Sequence, residues 1–234
     1  MRPARVVSLV PSATETLVAL GLRPVGCTRF CDLADVPTVG GTKNVDVDAV
    51  VALAPDLVIV NDEENRVEDA DALVACGLAL HSMSPRAVAD VGPAVCALAA
   101  AIGLETPEPF DAWDEWQART RTPERLSAFI PIWRRPWMSL AADTYGSSLL
   151  AHVGIANIFA DSTDRYPEVA LGDVEARAPD VALLPSEPYA FAERHAHELS
   201  AAVPGVRTTF VDGRDLFWWG IRTPAAAERL QSAE

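Results

Sequence analysis

One segment of this chain occurs twice, and the repeat limits the folds that the chain can adopt. Residues 50–60 read VVALAPDLVIV, and residues 174–184 read VEARAPDVALL. Each copy predicts a short helix, an Ala-Pro-Asp turn and an apolar strand that runs into an acidic loop. Helices that alternate with buried apolar strands are typical of a parallel sheet covered on both faces. The repeat therefore predicts an α/β fold with two related lobes.

A second, weaker match concerns the start of each predicted lobe. The strand-like run at 5–12 leads into a helix, with Ser12 as the predicted N-cap and Glu15 completing a capping box. The run at 136–143 is expected to do the same, with Asp143 as the N-cap. Helix N-termini at Ser12 and Asp143 would both present free backbone N–H groups to an anion.

The repeat divides the chain into three parts. We predict an N-terminal α/β lobe at 1–85 and a C-terminal α/β lobe at 128–234. The segment between them, 86–127, is rich in Ala and Leu and is expected to form a bridging helix that is bent near Gly103 and two prolines. A length of 234 residues suits two domains of small size.

The chain is acidic, with a formal net charge of −14. Proteins that bind nucleic acid show a basic patch or stripe, and none is visible in this sequence, which argues against that class. An acidic surface favours solubility and can also serve docking to a basic partner.

The amino-acid sequence also allows a prediction of the cellular location of the protein. No segment approaches the roughly 20 apolar residues of a membrane helix. The apolar run at Val6–Val10 is interrupted by Pro11, and no small-residue cleavage site or lipid-anchor cysteine accompanies it, as an export signal would require. We therefore predict a cytoplasmic protein, with an extracytoplasmic location as the alternative if the start is incomplete.

Ligands of open α/β sheets bind outside the carboxyl ends of the strands, so candidate binding residues are those in the loops that follow strands. The aromatic candidates are Phe30, Trp133, Trp137, Tyr166, Tyr189, Trp218 and Trp219. The cationic candidates are Arg29, Lys43, Arg66, Arg135, Arg165 and Arg222. The remaining polar candidates are Ser12, Cys31, Glu64, Asn65, Asp143 and Glu187.

The composition of this set indicates the kind of ligand. Aromatic walls suit a large flat molecule such as a corrin, a pterin or another heteroaromatic ring. Arginine forks suit an anionic group on it. The alternatives are ordinary core packing for the aromatic residues and local salt bridges, with Asp62, Glu63 or Asp164, for the arginines.

The cysteines and histidines offer little support for a metal site or for catalysis. The four cysteines do not have zinc-ribbon spacing, and the four histidines form no ligand cluster in the sequence. Cys31, beside Arg29, is a candidate reactive or metal-ligating thiolate, with an inert loop thiol as the alternative. We predict no resident metal, no cofactor and no catalytic residue.

Seven motifs, taken together and in this order, resemble a known family, the helical-backbone metal receptors. These are the substrate-binding proteins of ABC importers for cobalamin, ferric siderophores and haem, and the chain is most similar to the cobalamin-binding branch. The motifs lie at 7–15, 25–31, 39–44, 54–59, 63–66, 157–161 and 165–169.

The resemblance implies two Rossmann-like lobes with parallel sheets, joined by a long backbone helix. It implies a non-enzymatic protein that captures cobalamin, another corrinoid or a metal chelate in the cleft between the lobes, as cargo rather than as a cofactor. It also implies an ABC permease as partner, contacted through Glu63 and Glu187. The alternative is a cytoplasmic ligand sensor or an enzyme on the same fold, with Cys31 as the reactive group.

Overall fold

The computed structural model describes residues 5–232. In this range the chain forms two compact units. The first comprises the residues up to Pro85, Asp90–Trp113 and Trp219–Arg222; the second comprises Arg86–Ala89, Asp114–Trp218 and the residues from Thr223 onward. Among the described residues, no helix is both long enough and apolar enough to cross a bilayer.

The first unit is built on a four-stranded parallel sheet and a small antiparallel hairpin. The elements up to residue 102 are β1 (Val6–Ser8), α1 (Pro11–Ala19), β2 (Gly26–Cys27), β3 (Gly40–Gly41), β4 (Asn44–Val45), α2 (Val47–Ala52), β5 (Leu57–Val60), α3 (Val67–Ala75), β6 (Leu80–Ser82) and α4 (Val88–Ile102). The strand order in the sheet is β2-β1-β5-β6, and β3 pairs with β4.

Apolar side chains on both faces hold this sheet between its helices. Val7 of β1 is in register with Val58 of β5, and both are buried in one cluster with Val50 of α2 and Leu73 of α3. Val6 and Ile59, which alternate with these residues along the strands, are buried as well, and burial on both faces is the reason that these strands read as continuous apolar runs. Because the strands are parallel, the loops after β1, β2 and β5 begin at the same edge of the sheet.

The second unit repeats this plan. Its elements are α5 (Trp113–Thr120, whose first residue is grouped with the first unit), β7 (Leu126–Phe129), α6 (Tyr145–His152), β8 (Ile155–Asn157), α7 (Leu171–Arg177), β9 (Val181–Pro185), α8 (Glu193–Ala202), β10 (Arg207–Val211), α9 (Gly213–Phe217) and α10 (Thr223–Gln231). The four strands are parallel in the order β10-β9-β7-β8. Phe129, Leu184, Val174 and Leu199 lie in its core.

The repeated segment has the same local structure in both units. The alanine of each Ala-Pro-Asp turn has a left-handed backbone, with φ of 44° and 46°. Asp56 then accepts a hydrogen bond from the Arg5 N–H (2.8 Å), and Asp180 accepts one from the Ser127 N–H (2.7 Å). Each aspartate thereby ties the start of β5 or β9 to the start of the neighbouring strand. The predicted α/β fold with two parallel sheets is confirmed.

Both predicted helix starts are wrong by one or two residues. α1 begins at Pro11, with Val10 as N-cap and no capping side chain. Proline is favoured at N1 because its fixed φ suits a helix and its missing N–H would have had no partner. Ser12 therefore lies inside the first turn, and the predicted capping box with Glu15 does not form. The N-cap of α6 is Thr144 rather than Asp143, since the Thr144 hydroxyl accepts the Ser147 N–H.

The matched run at 136–143 is not a regular strand. The counterpart of β1 is β7, because β7 pairs with β9 as β1 pairs with β5. Residues 130–144 separate β7 from α6, whereas only Leu9 and Val10 separate β1 from α1. This insertion holds several of the predicted binding residues.

The segment 86–127 contains two helices rather than one. α4 ends at Ile102, and Gly103 follows with φ of 72°, the left-handed conformation typical of a residue that stops a helix. A short 3-10 turn at Phe110–Ala112 leads into α5. The sequence indicated the position of this break correctly.

A short segment near the C-terminus belongs to the first unit. Gly220 has φ of 104°, and a Cβ there would lie 2.2 Å from Thr16 Oγ1, so only glycine fits. The Ile221 N–H donates to the same oxygen (3.2 Å), and Arg222 forms a two-armed ion pair with Glu15 at 2.9 and 2.6 Å. These contacts fix the segment against α1.

Candidate functional site

The insertion after β7 folds back on itself as a tight turn. The Met138 N–H donates to the Trp133 carbonyl (3.2 Å), and the Ile132 N–H donates to the Met138 carbonyl (2.9 Å). Arg135 lies in this turn with φ of 75°, an uncommon backbone conformation for a residue with a side chain. The turn therefore places both Trp133 and Arg135 beyond the carboxyl end of β7.

Trp133 has an exposed indole at this edge of the second sheet. Its side chain is 45% exposed, yet it is packed edge-on against Tyr189, with ring centroids 5.4 Å apart. Tyr189 in turn contacts the buried Phe191 and His195. An aromatic ring that is held on one side and open on the other suits a flat ligand.

The second predicted tryptophan of the turn has a different environment. Trp137 is buried in the core of the second unit and stacks on Phe191, with centroids 5.8 Å apart. The Arg134 guanidinium lies 4.8 Å from the Trp137 ring and pairs with Glu198. These contacts correspond to the packing alternative for Trp137, and they anchor the turn from which Trp133 projects.

The predicted cationic residue Arg165 is bound by a carboxylate. Arg165 donates to Asp143 at 2.8 Å, and Arg86 lies 3.6 Å from the same carboxylate. Tyr166 follows in the chain and is 37% exposed. Asp143 thus binds two cations of the second unit, while Thr144 beside it occupies the N-cap position of α6.

Glu187 and Trp218 meet in the loops after β9 and β10. The indole N–H of Trp218 donates to Glu187 Oε1 at 2.6 Å, and the Arg214 guanidinium lies 4.7 Å from the centroid of the Trp218 ring. α9 begins at Gly213, where a Cβ would lie 2.5 Å from the carbonyl oxygen of Glu187. The two loops are therefore closely packed, and Glu187 has a structural partner within its own unit.

In the first unit, Arg29 and Phe30 form an exposed pair after β2. The Arg29 guanidinium lies 4.9 Å from the Phe30 ring centroid, and Phe30 is 50% exposed. The Arg29 N–H donates to the Gly40 carbonyl (2.9 Å), which ties the loop to the β3–β4 hairpin. This pair combines an exposed aromatic face with a cation, as the turn after β7 does in the other unit.

Cys31 lies at the end of the same loop. Its sulfur is 3.2 Å from the Thr14 hydroxyl and 3.4 Å from the Thr28 hydroxyl. A hydrogen bond from the Cys27 thiol lowers the pKa of Cys31 to about 6, helped by the two threonines against the opposing effect of burial. The same contact, with burial, raises the pKa of Cys27. The sequence indicated Cys31 but not the direct contact with Cys27.

A buried amide network shapes the loop after β5. Asn65 donates to the carbonyls of Leu9 (3.2 Å) and Thr42 (3.0 Å), and its Oδ1 accepts the Asn61 N–H (2.8 Å). The Asn61 side chain accepts the Glu64 N–H at 3.0 Å. Asn65 and Glu64 therefore lie in a loop that is held by side-chain hydrogen bonds to the backbone.

The other predicted residues of the first unit fall into two groups. Lys43 Nζ donates to the Glu63 carbonyl, and Arg66 is exposed at the start of α3. By contrast, Ser12 and Trp219 are buried. The Ser12 hydroxyl has no hydrogen-bond partner among the described residues, at a helix start whose backbone N–H groups no side chain caps.

Long-range pairing was invisible in the sequence. Arg222 was predicted to face a ligand, but Glu15 binds its guanidinium across 207 residues of chain. Arg29, Arg66 and Arg135 are exposed and form no ion pair with a carboxylate inside residues 5–232. In the part of the chain that the structure describes, no three His, Cys, Asp or Glu side chains converge as a metal site.

The comparisons with known proteins agree on the fold. No protein-family model matches the chain. The vitamin B12-binding protein of Vibrio parahaemolyticus is 24% identical over 204 residues, which cover 82% of this chain and 71% of the relative. The structure of the periplasmic vitamin B12 binding protein of Vibrio cholerae superposes with a TM-score of 0.79 at 21% identity, over 99% of this chain and 96% of that one.

A haem-binding protein has the same fold. The periplasmic heme binding protein HutB of Vibrio cholerae gives a TM-score of 0.82 at 18% identity, over 98% of both chains. The resemblance predicted from the motifs is confirmed, and the proteins compared are named as binding proteins rather than enzymes. They do not favour the sensor or enzyme alternative.

The predicted cytoplasmic location is wrong. Two of these similar proteins are periplasmic, and the comparison points to a location outside the cytoplasm. The prediction rested on the residue pattern of one short segment, whereas the likeness to these proteins extends over nearly the whole chain.

Proposed function

We propose that this chain is a binding protein for a corrinoid or another metal chelate with a flat conjugated ring and anionic substituents. The observation that carries the proposal is the exposed Trp133 indole, fixed against Tyr189 at the carboxyl end of the second sheet. Preorganised aromatic surface binds a rigid ring with little cost in side-chain entropy. The names of the similar proteins, which bind vitamin B12 or heme, support the same class of ligand.

Exposed cations supply the complement to anionic substituents. Arg135 accompanies Trp133 in the turn after β7, and Arg29 accompanies Phe30 in the loop after β2. Guanidinium groups bind carboxylate and phosphate groups through two parallel hydrogen bonds. The N-terminus of α1, with its uncapped N–H groups and the Ser12 hydroxyl, is a further place where an anionic substituent can bind.

A ligand screen tests the proposal. Purified protein is titrated with cyanocobalamin, cobinamide, haem and a ferric siderophore, by thermal shift and then by calorimetry. Binding stabilises the native state in proportion to the logarithm of ligand concentration over Kd, so a true ligand raises the melting temperature progressively. If none of the four raises it, the metal-chelate proposal is wrong.

We further propose that the chain delivers its ligand to an ABC importer through acidic side chains, with Glu63 as the group best placed for this. Glu63 is exposed after β5, and the net charge of −14 favours a basic partner surface. Glu187, the second predicted docking group, is half-buried and bound to Trp218. A vitamin B12 importer reconstituted in liposomes tests both residues. Wild type, Glu63→Gln and Glu187→Gln are compared for their ability to stimulate ATP hydrolysis by the importer. Equal stimulation by all three proteins would reject both glutamates as docking groups.

A further inference from the structure

Two cysteines in the loop after β2 are arranged as a pair rather than as independent thiols. Cys27 is the last residue of β2, and Cys31 follows one turn later. The Cys31 N–H donates to the Thr28 carbonyl at 3.1 Å, which closes the turn, and the Cys27 thiol donates a hydrogen bond to the Cys31 sulfur. The turn therefore brings Cys31 back toward Cys27, near enough for the two side chains to interact.

The backbone on both sides holds this turn in place. The Cys27 N–H donates to the Pro37 carbonyl (3.0 Å), and the Cys27 carbonyl accepts the Val39 N–H (2.9 Å). The Leu33 N–H donates to the Cys31 carbonyl (2.9 Å). Because a closed turn already holds the two cysteines near each other, a disulfide between them needs less backbone movement than one between distant cysteines, and large backbone movement is what prevents many cysteine pairs from forming a disulfide.

The two thiols differ in access to solvent. Cys27 is 1% exposed, whereas Cys31 is only half-buried. A dissolved oxidant can therefore react with Cys31 but not with Cys27. Cys27 can react only with a mixed disulfide that has already formed on Cys31. This is the arrangement of an attacking cysteine and a resolving cysteine.

We propose that Cys27 and Cys31 form a reversible dithiol–disulfide pair that a low-molecular-weight disulfide oxidises. The Cys31 thiolate attacks one sulfur of the external disulfide, forming a mixed disulfide and releasing one thiolate. Cys27 then gives up its proton to the released thiolate and attacks the Cys31 sulfur, which breaks the mixed bond and releases the second thiolate. This second thiolate takes from the solvent the proton that Cys31 had lost when it ionised. Two electrons pass from the protein to the external disulfide, which leaves as two thiols. The pair goes beyond the proposed ligand binding and does not depend on it.

The electrostatics of the pair favour this order of events. Attack requires a thiolate, and the hydrogen bonds to Cys31 lower its pKa. The hydrogen bond to Cys31 and the negative charge on Cys31 both raise the pKa of Cys27. Once Cys31 is in a mixed disulfide, that charge is gone, so the proton of Cys27 becomes easier to remove at the moment when Cys27 must react. Disulfides persist in oxidising compartments outside the cytoplasm, where the similar proteins function.

Oxidised glutathione is the probe for the experiment. The reduced full chain and its variants Cys27→Ser and Cys31→Ser are each exposed to it at pH 7, quenched by acid and analysed by mass spectrometry. Trypsin cleaves after Arg29, between the two cysteines, so a disulfide links the peptides 6–29 and 30–43, which otherwise separate. Cys76→Ser, which removes an exposed cysteine elsewhere, is the matched control.

The expected results separate attack from resolution. Wild type and Cys76→Ser lose two hydrogens and yield the linked peptides without bound glutathione. Cys27→Ser accumulates a stable glutathione adduct on Cys31. In Cys31→Ser, Cys27 reacts with oxidised glutathione at least tenfold more slowly than Cys31 does in Cys27→Ser, so it stays largely unmodified. The proposal is overturned if wild type retains glutathione on Cys31 as Cys27→Ser does, or if Cys31 reacts no faster than Cys76. Thermal unfolding of each reduced variant verifies that it is folded.

Discussion

The Trp218 indole N–H and the Glu187 carboxylate are joined by a hydrogen bond of 2.6 Å that ties the loop after β10 to the loop after β9. Arg214 strengthens this contact, since its guanidinium lies against the Trp218 ring and 3.9 Å from the Glu187 carboxylate. Glu187 therefore has a role in the fold that is separate from any role in docking, and the two roles make different predictions.

Removal of the Glu187 acceptor is expected to destabilise the second unit. Glu187→Ala leaves the partly buried Trp218 N–H without its partner, and we expect a loss of about 1–2 kcal/mol in the free energy of unfolding. Glu187→Gln keeps an acceptor and should lose less. Urea denaturation measures both, with Glu175→Ala, an exposed carboxylate on α7, as a control expected within about 0.5 kcal/mol of wild type. Equal losses for the alanine and glutamine variants would mean that charge, rather than the hydrogen bond, stabilises the loops.

Trp133 is expected to dominate ligand affinity. Trp133→Ala removes the exposed ring while the rest of the turn stays anchored by Arg134 on Trp137, and we expect Kd to rise at least about tenfold, equivalent to about 1.4 kcal/mol. Phe210→Ala is the matched control, because Phe210 is an aromatic residue of similar exposure (43%) on β10 rather than in a loop. Calorimetry with the ligand from the screen measures both. A similar Kd for the two variants would remove Trp133 from the site.

Asn65 is expected to be one of the most sensitive polar positions in the first unit. Asn65→Ala removes two donors and one acceptor from buried backbone groups, which we expect to cost about 2–4 kcal/mol in the free energy of unfolding. Asn65→Asp keeps the shape and the acceptor but turns a carboxylate oxygen toward two carbonyls, and should be at least as damaging. Asn44→Ala, on the exposed β4, is the control expected within about 0.5 kcal/mol of wild type. A small effect of Asn65→Ala in urea denaturation would contradict the network.

His152 is expected to make the protein less stable in mild acid. Its ring stacks on Trp116 (5.3 Å) and bonds the Thr120 hydroxyl (2.9 Å) in a buried position, where burial, and then the charge of Arg121, lower its pKa. The unfolded chain takes up a proton at this histidine below about pH 6.5 while the native state stays neutral. Stability therefore falls as the pH is lowered through that value, by at most about 1.4 kcal/mol per pH unit for this group.

Denaturation at pH 7, 6 and 5 tests this dependence. His152→Gln should unfold more easily at pH 7 but show a shallower decline toward pH 5. Burial also lowers the pKa of His81. The matched variant His81→Gln therefore tests whether the effect is specific to His152. An unchanged slope in His152→Gln would show that other groups cause the acid sensitivity.

Cys31 should be alkylated at a lower pH than a cysteine of the unfolded chain. With a pKa of about 6, Cys31 should reach about half of its maximal rate at pH 6, because the thiolate is the reactive form. A cysteine of the unfolded chain is below about 1% thiolate at that pH, so the same labelling in denaturant should be nearly absent at pH 6. Rates of iodoacetamide labelling between pH 5 and 9, followed by peptide mapping, measure this. Parallel profiles would contradict the hydrogen-bonded thiolate.

The sequence predicted the features that depend on local patterns. Apolar strands after Ala-Pro-Asp turns gave the two parallel sheets, because burial on both faces leaves a continuous apolar signature. The helix stop at Gly103 was visible because a left-handed helix end selects glycine. The starts of α1 and α6 were misplaced, since proline at N1 and Thr144 competed with Ser12 and Asp143 for positions one or two residues apart.

Contacts between distant parts of the chain could not be predicted. The Glu15–Arg222 ion pair joins residues that no local pattern connects, so Arg222 was interpreted as a ligand contact. The packing of Trp137 under Arg134 depends on an insertion after β7 with no counterpart in the first unit. The interaction of Cys27 with Cys31 did leave a signal in the sequence, a four-residue spacing within one loop.

The return of Trp219–Arg222 to the first unit has a consequence for gene truncation. A stop codon after Trp218 takes away the partner of Glu15 and the backbone donor to Thr16, which lie 207 and 205 residues away in the sequence. Neither unit corresponds to one uninterrupted stretch of coding sequence, so neither can be produced alone by a single pair of cloning boundaries. During synthesis, the first unit remains incomplete until the ribosome has translated the codons for Trp219–Arg222.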